Sequence, residues 1–218
     1  MALSKVDFNN INVTPAASKA LKWNSSANGF ETGDVGGNMV LLSTVTASSS
    51  ATVDFTSNID STYKEYIFKF INIEPATDGA DFSFQVETGT NSDYNQTITS
   101  SYFRAYHHEA DNGAALEYVT DKDLAQSTNF QVLAGAVGNG ADGNDDECAS
   151  GEMHLFEPSS TTFVKHFTSH INMYENGNSC HTIFAAGYIN DTTAITRVRF
   201  KFSSGNIATG TIKMYGVL

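Results

Sequence analysis

From Thr196 to Phe202 apolar and polar positions alternate one by one. Val198, Phe200 and Phe202 face one way, and Arg197, Arg199 and Lys201 the other. Side chains of a strand point to opposite faces in turn, so the pattern predicts a half-buried strand with a cationic outer stripe. That stripe is expected to be solvated or to pair with an acidic neighbour. Ser203-Ser204-Gly205-Asn206 carries turn chemistry, and Thr211 to Val217 alternates again. Upstream, Val40–Val45 and Ala51–Phe55 are short and β-branched. Glu65 to Ile73 is apolar on both faces, which predicts a central strand covered on two sides. Pro75 to Gly79 turns the chain, and Asp81–Val86 returns with alternation intact, a pair that reads as a hairpin. Ser101–Tyr106, Gly151–Phe156, Thr162–Phe167 and His181–Ala186 add further strands, and Phe130–Leu133 leads into a Gly/Asp-rich stretch. Thr120–Gln126 reads as a helix of one or two turns capped by Thr120 or Asp121. About ten short strands with almost no helix predict an all-β fold, a two-sheet antiparallel β-sandwich wound as a jelly roll.

Residues 1–38 lack this patterning and read as an extended N-terminal arm ahead of a sandwich domain at 39–218. Thr14 to Ala20 suits a short helical turn after Pro15. Asn24–Gly29 and Gly33–Asn38 have loop compositions on either side of Phe30. Leu21, Trp23 and Phe30 would be exposed on so small a segment, so they are expected to anchor the arm against another surface.

Size and charge narrow the partners. A chain of 218 residues buries enough apolar surface to fold without disulfide or metal. A net charge of −12 argues against nucleic acid, which demands a basic face. No apolar run approaches the roughly 20 residues of a membrane span. Met1 to Lys5 does not open a secretory signal, so synthesis in a cytoplasm is expected, with Cys148 and Cys180 as free thiols.

Few residues carry recognisable chemistry. Asp142, Asn144 and Asp146 match the alternating oxygens that open a calcium loop, but Glu147 replaces the glycine and Met153 the closing glutamate. A solvated acidic loop is the expectation. His166 and His170 lie roughly 13 Å apart along a strand, too far for one metal, and neighbours His107 and His108 diverge. No nucleophile elbow, phosphate loop or H-E-x-x-H is present. A non-enzymatic protein without cofactor is expected. Tyr94, Tyr102, Tyr106, Tyr118 and Tyr174 lie among Asn, Asp and Ser, a composition suited to adaptable surface contacts and sugar sites.

Two stretches add a resemblance. Ala20-Leu21-Lys22-Trp23-Asn24-Ser25-Ser26-Ala27-Asn28-Gly29-Phe30 with Gly33-Asp34 resembles the linker modules of tailed-phage tail fibres. Those modules follow Gly-Gln and repeat; here Ser18-Lys19 precedes a single copy. From about Ile59 onward the chain is similar to a β-rich, tail-fibre-like virion protein of marine phages. The likeness rests on Ile59–Tyr63 with Tyr66-Ile67-Phe68, and on Phe156–Thr162 with Lys165-His166-Phe167. Ala186–Asn190, Ser203–Ile207 and Met214-Tyr215-Gly216 complete it. The resemblance implies a virion location, tail or capsid proteins as partners, and copies associated as homotrimers. It also implies contact with a host-surface glycan or protein, or else a capsid decoration whose arm clamps the shell.

Overall fold

A computed structural model of the chain describes residues 14, 19–34, 38–140 and 146–218. The chain divides into two units, Met1–Asn38 and Met39–Leu218. In the first, β1 (Lys19–Trp23) pairs antiparallel with β2 (Phe30–Asp34), with Trp23 opposite Phe30. Asn24–Gly29, expected as loop, forms the turn of this hairpin, whereas Gly33 and Asp34, also expected as loop, belong to β2; residues 35–37 lie outside the described residues. The turn is closed by Asn24 N–H donating to the Gly29 carbonyl at 2.9 Å and Asn28 N–H donating to Asn24 Oδ1 at 3.2 Å. Lys19 and Ala20, expected in the helical turn of Thr14 to Ala20, belong to strand β1 instead; residues 15–18 of that turn lie outside the described residues.

The second unit contains β3 (Met39–Ser50), β4 (Val53–Phe55), β5 (Glu65–Pro75), β6 (Ala80–Thr88), β7 (Ile98–His108) and β8 (Ala114–Tyr118). There follow β9 (Gln131–Val137), β10 (Ala149–Phe156), β11 (Lys165–Glu175), β12 (Ser179–Ile189), β13 (Ile195–Phe202) and β14 (Ile207–Val217). Pairing is antiparallel and nested: β3 with β14, β4 with β13, β5 with β10, β6 with β9. One long hairpin has thus rolled up with alternate strands in alternate sheets, which is jelly-roll winding. One sheet runs β3-β14-β5-β10 and the other β4-β13-β6-β9. Two hairpin insertions, β7–β8 and β11–β12, widen the first sheet to β10-β11-β12-β7-β8. A single pair, Glu175 with Val137, carries the hydrogen bonding across to the second sheet.

The core follows from the alternation in β13. Val198, Phe200 and Phe202 are buried, and the Phe200 ring centroid lies 5.2 to 6.4 Å from those of Phe55, Phe68, Phe70, Phe82 and Phe84. Phe68 and Phe70 come from the facing sheet, so this cluster closes the sandwich, each ring adding about 1.5–3 kcal/mol by burial. Two cations of the stripe, Arg199 and Lys201, have partners. Arg199 makes a bidentate contact with Asp54 at 2.8 and 2.6 Å and lies 3.9 Å above the Tyr94 ring, while Lys201 sits over Phe130 at 4.4 Å.

Three expectations are corrected. β5 and β6 do not pair: the Pro75 turn carries the chain from one sheet to the other, and Phe70 meets Phe82 across the core at 5.2 Å. Two-sided burial belongs to β6, not β5, whose Ile71 is exposed. Behind Phe82 and Phe84, Gln85 Nε2 donates to the carbonyls of Gln96, Thr128 and Asn129, and Glu87 accepts from Thr88 and Tyr94 N–H. Those two loops cover the outer face of β6. Finally, Thr120–Gln126 is not helical. Its backbone is committed to β7 instead, with Ser100 N–H donating to the Leu124 carbonyl and Leu124 N–H to Ser100 Oγ, both at 2.9 Å.

Candidate functional site

The two insertions extend one sheet past the strands that face it and leave a recess on its inner side. Alternation places Arg104, Tyr106 and His108 on that side of β7, and the register sets Tyr106 opposite His181 and His108 opposite Ser179 on β12. Glu175 lies opposite Ser179 across the β11–β12 turn. These six residues line a cavity of about 150 Å³.

The hydrogen bonds fix the chemistry of its wall. Ser179 Oγ donates to Glu175 Oε2 at 3.0 Å, and the same carboxylate oxygen accepts from Gly177 N–H at 2.8 Å. His181 Nε2 lies 2.9 Å from Ser179 Oγ. The serine has one proton and gives it to Glu175, so the proton between serine and histidine sits on Nε2. His181 Nδ1 then carries a lone pair, and it is buried without a partner, on a residue only 3% exposed. Burial first, and the Arg104 guanidinium second, push the His181 imidazole below the ordinary histidine range, favouring the neutral ring. Arg104 is held by Glu117 at 2.7 Å and lies over the Tyr106 ring at 5.4 Å. His108 Nδ1 lies 3.0 Å from Asn112 Oδ1. Ser179 is buried, and its proton goes to the Glu175 carboxylate while His181 donates to its oxygen, so His181 does not act as the base of a serine–histidine pair. What these three residues offer is a set of fixed donors and acceptors.

The outer side of the same sheet is different. Tyr118, Phe103, Phe184, His170, Glu152 and Lys69 follow one another across six strands in register. Phe103 stacks on Phe184 at 5.1 Å and His170 on Phe184 at 4.3 Å. The rings stand side by side as a ridge, each covering its neighbour's face. Beyond them Lys69 donates to Glu152 at 2.7 Å, which holds that carboxylate below its usual range, with His154 adding to the effect. His154 spans Glu152 at 3.2 Å and Glu65 at 2.5 Å.

The tyrosines expected at the surface divide. Tyr94 and Tyr102 are buried and are corrected: Tyr94 packs beneath Arg199, and the Tyr102 hydroxyl accepts from Gly135 N–H at 3.2 Å, with its pKa raised by burial. Tyr106 lines the recess, Tyr118 stands exposed beside the outer ridge, and the Tyr174 hydroxyl donates to Asn178 at 3.2 Å. In the first unit Trp23 stacks on Phe30 at 4.5 Å, yet Trp23 is 62% exposed, and Leu21 and Phe30 are also exposed. Asp142 and Asn144 lie outside the described residues, and Asp146 is exposed. Among the described residues no group of three His, Cys, Asp or Glu side chains is placed to hold a metal. Cys148 and Cys180 are free thiols. His166 packs against Tyr188, on the same outer face of β11 as His170. Sequence reasoning missed Arg104, Glu175, Ser179 and His181. A signal existed in Asn176-Gly177-Asn178, turn residues that bring Glu175 and Ser179 face to face.

No protein-family model matches the chain, and neither a curated protein nor a solved structure matches it.

Proposed function

We infer that this chain is a non-enzymatic structural protein of a tailed-phage virion, tail-fibre-like, held by its N-terminal unit and displaying its jelly roll towards the host surface. The observation that carries this reading is the linker-like module Leu21–Ser26 with Gly33-Asp34. It falls on a hairpin of its own, and that hairpin leaves Leu21, Trp23 and Phe30 exposed. An apolar trio on so small a unit suits attachment to tail proteins, with three copies around an axis as the resemblance implies. Tyr106, Tyr118 and Tyr174 all belong to the two insertions, which supports the insertion end as the host-facing side. Jelly rolls occur in virion and sugar-binding proteins alike, so the winding agrees with the reading without singling it out.

Gold-tagged antibody against the chain, applied to intact particles and viewed by electron microscopy, tests it. Label confined to the tail is expected. Label spread over the head makes the chain a capsid decoration with the hairpin as its clamp, and unlabelled particles reject a virion role.

A further inference from the structure

β8 ends the widened sheet, and among the described residues β7 is the only strand it pairs with. In an antiparallel pair, alternate residues turn both main-chain groups to the partner strand, and the residues between them turn both groups away. His108 N–H donates to the Gly113 carbonyl and Val119 N–H to the Tyr102 carbonyl, which sets Gly113, Ala115, Glu117 and Val119 as the residues bonded to β7. Ala114, Leu116 and Tyr118 therefore direct their N–H and C=O groups off the edge of the sheet. Their side chains lie on the outer face, where Leu116 is 74% and Tyr118 53% exposed.

Edges in natural proteins are guarded by brevity, a bulge, proline, lysine or an inward charge. At the other ends of the strand order, β4 has only three residues and β3 carries an extra residue at Leu42. β8 has five residues, an unbroken register with β7, and no proline or lysine. Its one charge, Glu117, is tied to Arg104 at 2.7 Å. The edge is also complementary to itself. Two copies related by a two-fold axis at Leu116 set Leu116 against Leu116 and Ala114 against Tyr118, so all the outward residues exchange both of their bonds. Glu117 then lies across from Ala115 of the second copy. Moving the axis to Glu117 would oppose two carboxylates, and moving it to Ala115 would leave Tyr118 beyond the end of the partner strand. With the axis at Leu116, each exposed leucine packs on its twin between Tyr118 and Ala114 of opposite copies.

We propose that β8 is a pairing edge for a second copy of this chain, an antiparallel β8–β8 contact that continues the sheet across a two-fold axis at Leu116. It does not rest on the virion reading and is distinct from the three-fold association that the resemblance implies. An edge contact is smaller than a permanent interface, so the dimer is expected to be weak and concentration-dependent.

Sedimentation velocity and cysteine crosslinking of the full chain test it. At about 0.15 M salt, repulsion between copies that each carry −12 is screened beyond about 8 Å, and a reversible dimer is expected between about 10 μM and about 1 mM. Leu116→Pro removes an outward N–H and no bond to β7, and Leu116→Lys puts two like charges on the axis; each should weaken association about tenfold or more. For the register, Leu116→Cys is made in a chain with Cys148→Ser and Cys180→Ser. Bonded partners across the axis have Cα atoms about 5.5 Å apart, within reach of a disulfide, so mild oxidation should give a covalent dimer. Tyr118→Cys, whose twin lies about 14 Å away, should give none. A monomer throughout the concentration range leaves the edge to a strand of another protein and overturns the proposal. Equal crosslinking at positions 116 and 118, or a dimer that both Leu116 substitutions leave intact, places the contact elsewhere and overturns it as well. If Leu116→Pro loses the circular dichroism of the fold, Leu116→Lys and the two cysteine positions decide.

Discussion

At the residue scale, the buried side-chain polar groups among the described residues divide into those with a partner in place and two without, Asn139 Oδ1 and His181 Nδ1. Lys165 is fully buried, and its ammonium donates to the carbonyls of Asp191 and Thr193 at 2.9 and 2.6 Å, so burial lowers its pKa while the bonds retain its role. Gln85 and Glu87 are likewise satisfied. Of the two exceptions His181 is the one that titrates, which makes it measurable. Its folded pKa lies below the unfolded value of about 6.5, so the unfolded chain takes up the proton first. The stability this neutral ring contributes is fully present above pH 6.5 and is lost as pH falls through that value towards the lower folded pKa. The charges facing it are Arg104, Glu175, Glu117 and His108; the carboxylates temper the loss and the cations deepen it. Urea unfolding of the wild type and of His181→Phe between pH 7.5 and 5 should therefore give a steeper fall for the wild type. Parallel curves would show that the imidazole is solvated in the folded state.

At the element scale, period-two alternation located most strands of the second unit, because a sandwich buries one face of each strand and leaves the other to water. It misled where that condition fails. β6 is covered on its outer face by loops whose carbonyls bind Gln85, and no local pattern announces a loop that folds back over a strand. β8 went unread because Leu116 and Tyr118 point to solvent at the sheet edge, so its alternation has no buried face. The Trp23–Phe30 hairpin was hidden by a turn richer in Asn and Ser than in β-formers. The outer ridge of β7, β12 and β11 was invisible in another way: Phe103, Phe184 and His170 become neighbours only through register. Such cross-strand ring pairs contribute about 0.5–1.5 kcal/mol beyond burial. Phe184 lies in the middle and touches both partners, so Phe184→Ala should cost about 2 kcal/mol in chemical denaturation, and Phe103→Ala, at the end of the stack, about half of that. Equal and negligible losses would mean that the rings do not stack in solution.

At the scale of the whole molecule, the winding was legible only as a class. Nested pairing joins β3 to β14 and β4 to β13 across most of the chain, and sequence carries no signal for which distant strands meet; the false β5–β6 hairpin shows the cost of assuming that neighbours pair. The division between arm and sandwich has a sharper consequence. The roll begins at Met39, whose partner is Val217 on the neighbouring strand β14, and the ring cluster around Phe200 draws every member from residues 55 to 200. Removing residues 1–38 therefore takes away no strand of either sheet and no residue of that cluster. The truncated chain is expected to keep its far-ultraviolet circular dichroism and to melt within about 3 °C of the full chain, a difference of about 1 kcal/mol. It should also fail to join particles in an assembly extract, because the exposed Leu21, Trp23 and Phe30 leave with it. A large fall in melting temperature would make the hairpin part of the fold. A stable roll that still joins particles would move the attachment surface to the sandwich, and the outer ridge of Phe103, Phe184 and Tyr118 would be the first place to substitute.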